Sequence, residues 1–276
     1  MPRGRYAGTM KPLESPSSPG AILSFDFDGT LHSPLDNPPV TPRLFQTLER
    51  LRREKGALWG INTGRSIAHV AEGLAEGRFP FTPDWVVARE REIWLPTSGG
   101  RWTPFEPWNH TCDKDLRAFF KDARGILEAI RHEVEEHTGA TWIEQPGDPA
   151  GLVARTEEEM AWIIGRVKSL AAGEPLLGWQ RNSIWLRFGH KKYQKGSSLA
   201  EVARHFGLSR TETFAIGDSH NDFEMLSPEV SAMFACPANA VPEIREHVVG
   251  LGGHACLLEH SEGCVEAMEF FFGTGS

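Results

Sequence analysis

Little in this sequence points to a membrane, a secretory route or a nucleic acid. Among its 276 residues, no apolar stretch is long enough to cross a bilayer as a helix. No block of basic residues stands out and the formal net charge is -8, which argues against nucleic acid and anionic lipid as partners. Cysteine is scarce. The four thiols, Cys112, Cys236, Cys256 and Cys264, form no CxxC pair and have no histidines at zinc spacing. That gives no zinc-site pattern and reads as buried or idle thiols in a reducing compartment, so a cytoplasmic location is expected. The first 20 residues are rich in Pro, Gly and Ser and lack an apolar h-region, so a secretory signal is not supported. Residues 1–20 read as a disordered tail, with Met1 and Met10 both candidate starts. The composition, 40% hydrophobic and 24% charged, is that of a globular enzyme with one large domain or two modest ones.

What is present begins with Asp26-Phe27-Asp28-Gly29-Thr30. It closes the apolar run Ala21-Ile22-Leu23-Ser24-Phe25, which reads as a buried strand. In a regular strand the two carboxylates share one face. At about 4 Å, two such charges repel by roughly 4 kcal/mol at an effective dielectric near 20. A hard cation such as Mg2+ would offset that, whereas an isolated motif of this kind would read as an exposed Asx turn.

Strand and helix signals then alternate. Thr41-Pro42 opens a helix with Leu44, Leu48 and Leu51 on one stripe. Ala57–Ile61 is a strand followed by the loop Thr63-Gly64-Arg65-Ser66, a helix over about 66–77, and a strand at Trp85–Ala88. This predicts a parallel sheet with covering helices. The middle of the chain changes character. A single amphipathic helix is expected over 113–137, then strands near 142–145 and 151–156, a helix over about 157–171, and strands near 174–180 and 183–188. The αββαββ order suits a small α+β insertion. The doubly wound pattern resumes with a helix from Lys195 to Gly207, a strand at Thr213–Ile216 and a helix starting over Asn221–Leu226. The expected division is 21–92 and 190–276 for an α/β, Rossmann-like core and 93–189 for the inserted cap.

Four features fall at strand ends or at the start of the following helix, the edge where open α/β sheets bind ligands. They are Asp26 with Asp28; Thr63 with Gly64; Lys195; and Gly217-Asp218-Ser219-His220-Asn221-Asp222. Singly, each has an ordinary reading: Thr63 as a helix cap, Lys195 as a solvated lysine, Asp218 and Asp222 as turn and cap residues. Together they supply carboxylates for Mg2+, a hydroxyl, a lysine and strand-end amides for a phosphate, and a carboxylate able to form an aspartyl-phosphate.

In order, FDFDGTL, NTGRS, the lysine of YQKGSSLAEVARHFGL and AIGDSHNDFEML resemble the four motifs of the haloacid dehalogenase superfamily. The likeness covers 21–276. The insertion resembles the smaller C2-type (IIB) cap of Cof-like and sucrose-phosphate-phosphatase-like enzymes, and CPANAVPEIREHV is similar to their C-terminal stretch. The resemblance implies Asp26 as nucleophile and Asp28 as general acid and base. Thr63, Gly64, Lys195 and Asn221 would bind phosphate, and Asp26, Asp28 (through its carbonyl), Asp218 and Asp222 would hold or support Mg2+. It implies a phosphatase of small phosphorylated metabolites, with sugar phosphates expected; a phosphomutase and a non-catalytic regulator on the same scaffold are the alternatives. An acid at position 28, by the same resemblance, favours a phosphatase or a phosphomutase over a dehalogenase or a P-type ATPase. Where Cof-like enzymes carry an Asn-Gly-Ala-type turn, this chain has Ala88-Arg89-Glu90-Arg91, with Arg89 and Arg91 expected in solvated salt bridges and contact with an anionic substrate as the alternative. Seven of the nine Trp lie between 94 and 185. Trp162 is expected in the cap core, and Asp148, Arg181 and Asn182 are candidates to face substrate.

Overall fold

A computed structural model of the chain describes residues 10–97, 101–145 and 147–273. The core is an eight-stranded sheet in the order His254–Ala255, Met233–Cys236, Thr213–Ile216, Ala21–Phe25, Ala57–Asn62, Trp85–Ala88, Glu92–Pro96, Trp102–Pro104. The first six strands run parallel and the last two antiparallel. Strand alternation divides the apolar side chains between two layers. Leu23, Phe25, Trp59, Ile61, Phe214 and Ile216 pack on the face shared with the helices Pro42–Lys55, Ile67–Glu76 and His260–Phe272. Ile22, Leu58 and Ala215 pack on the opposite face with Lys195–His205 and Pro242–Gly250. Because both faces are covered, the central strands are apolar without a polar side.

The register places the carboxyl ends of three strands side by side: Ile216 is opposite Phe25, and Phe25 opposite Ile61. The residues that follow each strand therefore converge on one edge. The inserted cap is a four-stranded antiparallel sheet in the order Leu177–Asn182, Trp185–His190, Asp148–Val153, Thr141–Gln145, with the helices Arg124–His137 and Glu157–Leu170 packed on it.

Several expectations change. Residues 1–9 lie outside the described residues, but the rest of the expected tail is in place. Lys11–Pro12 pairs in parallel with Phe81–Thr82, and Met10 and Leu13 pack on the core, apolar area that a solvated tail would leave in water. The core sheet continues past residue 92 through Glu92–Pro96 and Trp102–Pro104, so the cap begins after 104 rather than at 93. The single helix over 113–137 is two, Glu106–Asp122 and Arg124–His137, joined at Ala123 with φ -81 and ψ 3. Both share one hydrophobic stripe, which is why periodicity reads through the break. Asn221–Leu226 does not start an α-helix; a single 3-10 turn, His220–Asp222, stands there. Trp162 is 41% exposed, one position off the buried Met160, Ile163, Val167 stripe of its helix.

Candidate active site

The site is assembled from the loops that leave the converging strand ends. Asp26 follows its strand directly and is 4% exposed. Lys195, at the first position of its helix, is fully buried, and its Nζ donates to Asp26 Oδ1 at 2.7 Å and to Asp222 Oδ1 at 2.5 Å. The helix start is held by Asn62, whose Nδ2 donates to the Lys195 carbonyl at 2.9 Å, and by Glu224, whose Oε2 accepts from the amides of Gly196 and Ser197 at 3.0 and 3.1 Å. Asp222 Oδ2 accepts from the amides of Asp218 and Ser219 at 3.0 and 2.9 Å, which fixes the turn carrying Asp218. Thr30 Oγ1 donates to Asp218 Oδ1 at 2.5 Å.

Charge decides what this cluster needs. Carboxylate oxygens of Asp26, Asp218 and Asp222 lie within 4.8 Å of one another. Three carboxylates against the single ammonium of Lys195 leave a formal charge of -2 in a buried space. Burial, followed by the neighbouring Asp222 and Asp218, drives the Asp26 carboxyl well above its usual range despite Lys195. Burial and Asp222 push Asp218 up to about 7. Burial opposes the charge on Lys195, but Asp222 and Asp26 outweigh it and hold the ammonium. An excess of two buried negative charges among hard oxygen donors fits a divalent cation of the Mg2+ type. Both oxygens of Asp222 are already engaged, so Asp26 and Asp218 have the free capacity and Asp222 supports them from behind.

The Asp28 side chain stands apart from the cluster, while the expectation for the metal concerns its backbone carbonyl. Its carboxylate is turned away from the other three and paired with Arg65, Nε to Oδ2 at 2.7 Å and Nη2 to Oδ1 at 2.6 Å. The Arg65 guanidinium sits 4.7 Å from the centre of the Phe27 ring. The Asp28 side chain is 48% exposed at the mouth of a cleft. Thr63 is buried at the floor, with its hydroxyl oxygen accepting from the Arg65 amide at 3.2 Å. Gly64 follows, and a side-chain carbon there would meet only Glu90 Oε1 at 3.4 Å, so the space above it is open toward the cleft. Asn221 lines the same cleft, donating through Nδ2 to Glu90 Oε1 at 2.7 Å.

The cleft, about 590 Å³, runs between core and cap. Asp26, Asp28, Thr63, Gly64 and Asn221 line its core wall. Lys195, Asp218 and Asp222 lie behind that wall, not on it. The cap wall includes Asp148, Arg181 and Asn182, the residues read from the sequence as candidates to face substrate, together with Gln145, Gln180 and a half-exposed Trp185. Arg91 is not in a solvated salt bridge: it is 7% exposed and reaches the cap at Asp148 Oδ1, 2.8 Å, and the Gly147 carbonyl, 2.7 Å. Arg89 stands 3.6 Å from Glu92 and 3.9 Å from Asp148. Sequence reasoning missed Thr30, Arg65, Glu90 and Glu224. Arg65 lay inside a recognised motif, so proximity to Thr63 was an available signal; Glu90 and Glu224 carry none at local range. All four cysteines are free and buried.

Residues 152–249 match the family model for haloacid dehalogenase-like hydrolases. The chain is similar to a phosphoglycolate phosphatase of Methanothermobacter thermautotrophicus, 37% identical over 79 residues that make up 29% of this chain and 33% of the relative. It thus spans about a third of the length of that curated relative. Among solved structures, the sucrose-phosphatase of Synechocystis sp. PCC6803 in complex with sucrose and phosphate superposes with a TM-score of 0.70 at 19% identity, over 92% of this chain and 98% of that one. The haloacid dehalogenase-like hydrolase yhjK of Bacillus subtilis gives 0.65 at 16% identity, over 97% of each chain. A subclass IIB sugar phosphatase of the same superfamily gives 0.57 at 19% identity, over 92% of this chain and all of that one. The fold is that of the haloacid dehalogenase-like hydrolases across nearly the whole chain, and the matched segment carries their sequence pattern. No helix among the described residues is long and apolar enough to cross a membrane.

Proposed function

We propose that this chain, with its haloacid dehalogenase-like fold, is a Mg2+-dependent phosphatase of small phosphorylated metabolites that works through an aspartyl-phosphate on Asp26. The observation that carries the reading is the buried surplus of negative charge behind the cleft floor. A structural core gains nothing from three carboxylates around one lysine; a site that receives a divalent cation and a phosphate does. Asp26, the Asp28 backbone carbonyl and Asp218 would hold Mg2+, which when bound neutralises the cluster and the phosphoryl oxygens.

The side chains divide the work. An Asp26 oxygen attacks phosphorus as the bond to the leaving oxygen breaks. Asp28, at the mouth of the cleft, gives that oxygen a proton and then takes one from the water that hydrolyses the acyl-phosphate, returning both carboxylates to their starting forms. The Thr63 hydroxyl keeps its hydrogen free to donate to the phosphoryl group, since its oxygen already accepts from the Arg65 amide. Lys195, held by Asp222, donates to Asp26 Oδ1 and, together with the cation when bound, would offset the burial and neighbouring carboxylates that oppose the ionised nucleophile. Positioning and charge neutralisation supply most of the rate enhancement in phosphoryl transfer.

A sugar-phosphate substrate is supported by the cap wall. Every arginine lining the cleft among the described residues is matched by a carboxylate: Arg65 by Asp28, Arg89 by Glu92 and Asp148, Arg181 by Glu157, Arg187 by Glu90. A carboxylated leaving group such as glycolate therefore finds no uncommitted guanidinium. The amides of Gln145, Gln180 and Asn182 beside Trp185 suit hydroxyl groups and a sugar face. The test is phosphate release from p-nitrophenyl phosphate, a panel of sugar phosphates and phosphoglycolate, with and without Mg2+. Sugar phosphates are expected to exceed phosphoglycolate in kcat/KM, and Asp26→Asn to abolish turnover; robust activity in that variant would remove the nucleophile assignment, and isomer formation without free phosphate would point to a mutase.

A further inference from the structure

The turn after the Trp85–Ala88 strand places two successive non-glycine residues in the left-handed region, Arg89 at φ 49 and Glu90 at φ 65. Glycine or asparagine would adopt that backbone at lower cost. Strain of this kind persists where the surroundings over-determine it. Here the surroundings are the catalytic loops. The Arg89 amide donates to the Arg65 carbonyl at 2.8 Å and the Glu90 amide to the Thr63 carbonyl at 2.8 Å. Ser198 Oγ, from the Lys195 helix, donates to the Glu90 carbonyl at 3.1 Å.

Held this way, the Glu90 carboxylate is 3% exposed and shared between two domains. Its Oε1 accepts from Asn221 Nδ2, at the core wall of the cleft, at 2.7 Å. Its Oε2 accepts from Nη2 of Arg187, on the cap strand Trp185–His190. The same Nη2 donates to the Arg89 carbonyl at 3.1 Å, so the cap arginine grips both residues of the strained turn. A buried ion pair gives little net stability over apolar packing of similar volume. What it does supply is a defined relation between the elements that carry its two charges. Removing Arg187 leaves Glu90 buried with Asn221 and without the cation that contacts it, a state that the carboxylate relieves by moving, and Asn221 moves with it.

We propose that Glu90 is a positioning residue that couples the seating of the cap, through Arg187, to the placement of Asn221 in the catalytic loop. Its catalytic consequence rests on the phosphatase reading; its geometry does not. The cleft is thereby complete only when the cap is seated, because one carboxylate orients both walls.

The test uses the full chain with Glu90→Gln, Arg187→Met, Arg187→Lys and the Glu90→Gln/Arg187→Met double variant. Hydrogen exchange is read first. Arg187→Met is expected to accelerate exchange not only in its own cap strands but also in the core segment 217–222, and Arg187→Lys to restore part of the protection. Exchange changes confined to the cap would overturn the coupling. Steady-state kinetics follow on p-nitrophenyl phosphate and a sugar phosphate. Each single variant is expected to lose roughly 10- to 100-fold in kcat, the size of effect that a misplaced supporting group produces. The double variant is expected to be no worse than either single one, since both break the same link. Multiplying losses, or an unchanged kcat with only a lower Tm, would overturn the proposal. Should Glu90→Gln fail to fold, the Arg187 pair decides it. A wild-type protein that releases no phosphate from any substrate removes the phosphatase reading, while exchange at 217–222 still decides the coupling.

Discussion

Two of the groups of buried charge among the described residues are built on opposite principles. Behind the cleft floor, Asp26, Asp218 and Asp222 face one lysine, a surplus of two negative charges on rigid strand ends. At the seam between core and cap, Glu90 and Asp148 face Arg187 and Arg91, charge matched to charge. Both sets are buried or nearly so, so solvent cannot settle either account. The surplus calls for a ligand that brings positive charge; the balanced seam calls for none and instead specifies how two bodies meet. The difference teaches where chemistry and where geometry are encoded: an unbalanced cluster is a site, a balanced one a joint.

The largest effect on that contrast is expected from Lys195→Met. It raises the surplus to three negative charges, removing the partner from two buried carboxylates, and breaking a buried pair costs about 3–5 kcal/mol. Thermal melts in metal-free buffer should show severe destabilisation, and activity should vanish. An equally stable variant would mean that the cluster is not under electrostatic strain. Asp218→Asn works in the other direction. Removing one charge from the surplus should raise Tm in metal-free buffer and abolish the Tm gain expected when Mg2+ is added to the wild type. If Mg2+ stabilises both proteins equally, Asp218 does not contribute to the site.

Gly29→Ala probes the fit of the same cluster. Gly29 has φ +79, and a Cβ there would stand 2.6 Å from Asp218 Oδ2. The strained backbone alone costs on the order of 1–3 kcal/mol, and the displaced carboxylate should weaken the proposed Mg2+ site, read as a lower affinity than the wild type's in Mg2+ titrations. The same substitution at Gly125, which has no neighbour within 4 Å, is the control.

The smallest expected effect lies in the cap, far from the surplus. Hydrogen bonds from the Arg155 side chain, then from the backbone amides of Arg155 and Gly139, pull Glu159 down to about 2 from its ordinary 4.5. A carboxyl depressed in the folded state contributes stability that is fully present above pH 4.5 and is lost as pH falls toward 2. Acid titration of the wild type should show this loss, and Glu159→Gln should flatten it within that window. A loss of equal size in the variant would assign the acid sensitivity elsewhere.

How much of this was readable in advance follows from the range of the interactions. The strands 21–25, 57–62, 85–88 and 213–216 announce themselves as short apolar runs ending in chemically loaded loops, because in a doubly covered sheet the strand is apolar on both faces and the loop at its carboxyl end meets the ligand. Asp26, Thr63, Lys195 and Asp218 were therefore legible as a set, since each is tied to a local signal. The cap's αββαββ order was legible for the same reason. The single helix over 113–137 misread a break at Ala123, because two helices burying one continuous stripe keep the period of one. The cap boundary was misplaced because two antiparallel strands, Glu92–Pro96 and Trp102–Pro104, extend the core sheet without the helix that separates parallel neighbours.

Glu90 marks the limit. Its partners Arg187 and Asn221 are 97 and 131 residues away, and its burial comes from neither hydrophobic period nor motif. The order of residues along the chain determined which groups sit at the ends of which strands, because pleat and period act between near neighbours. Folding in three dimensions decided which of those groups face one another, turning Asp28 to Arg65 and away from Asp26, and joining Glu90 to the cap, because Coulomb and hydrogen-bond energies depend on distance in space and are indifferent to distance along the chain.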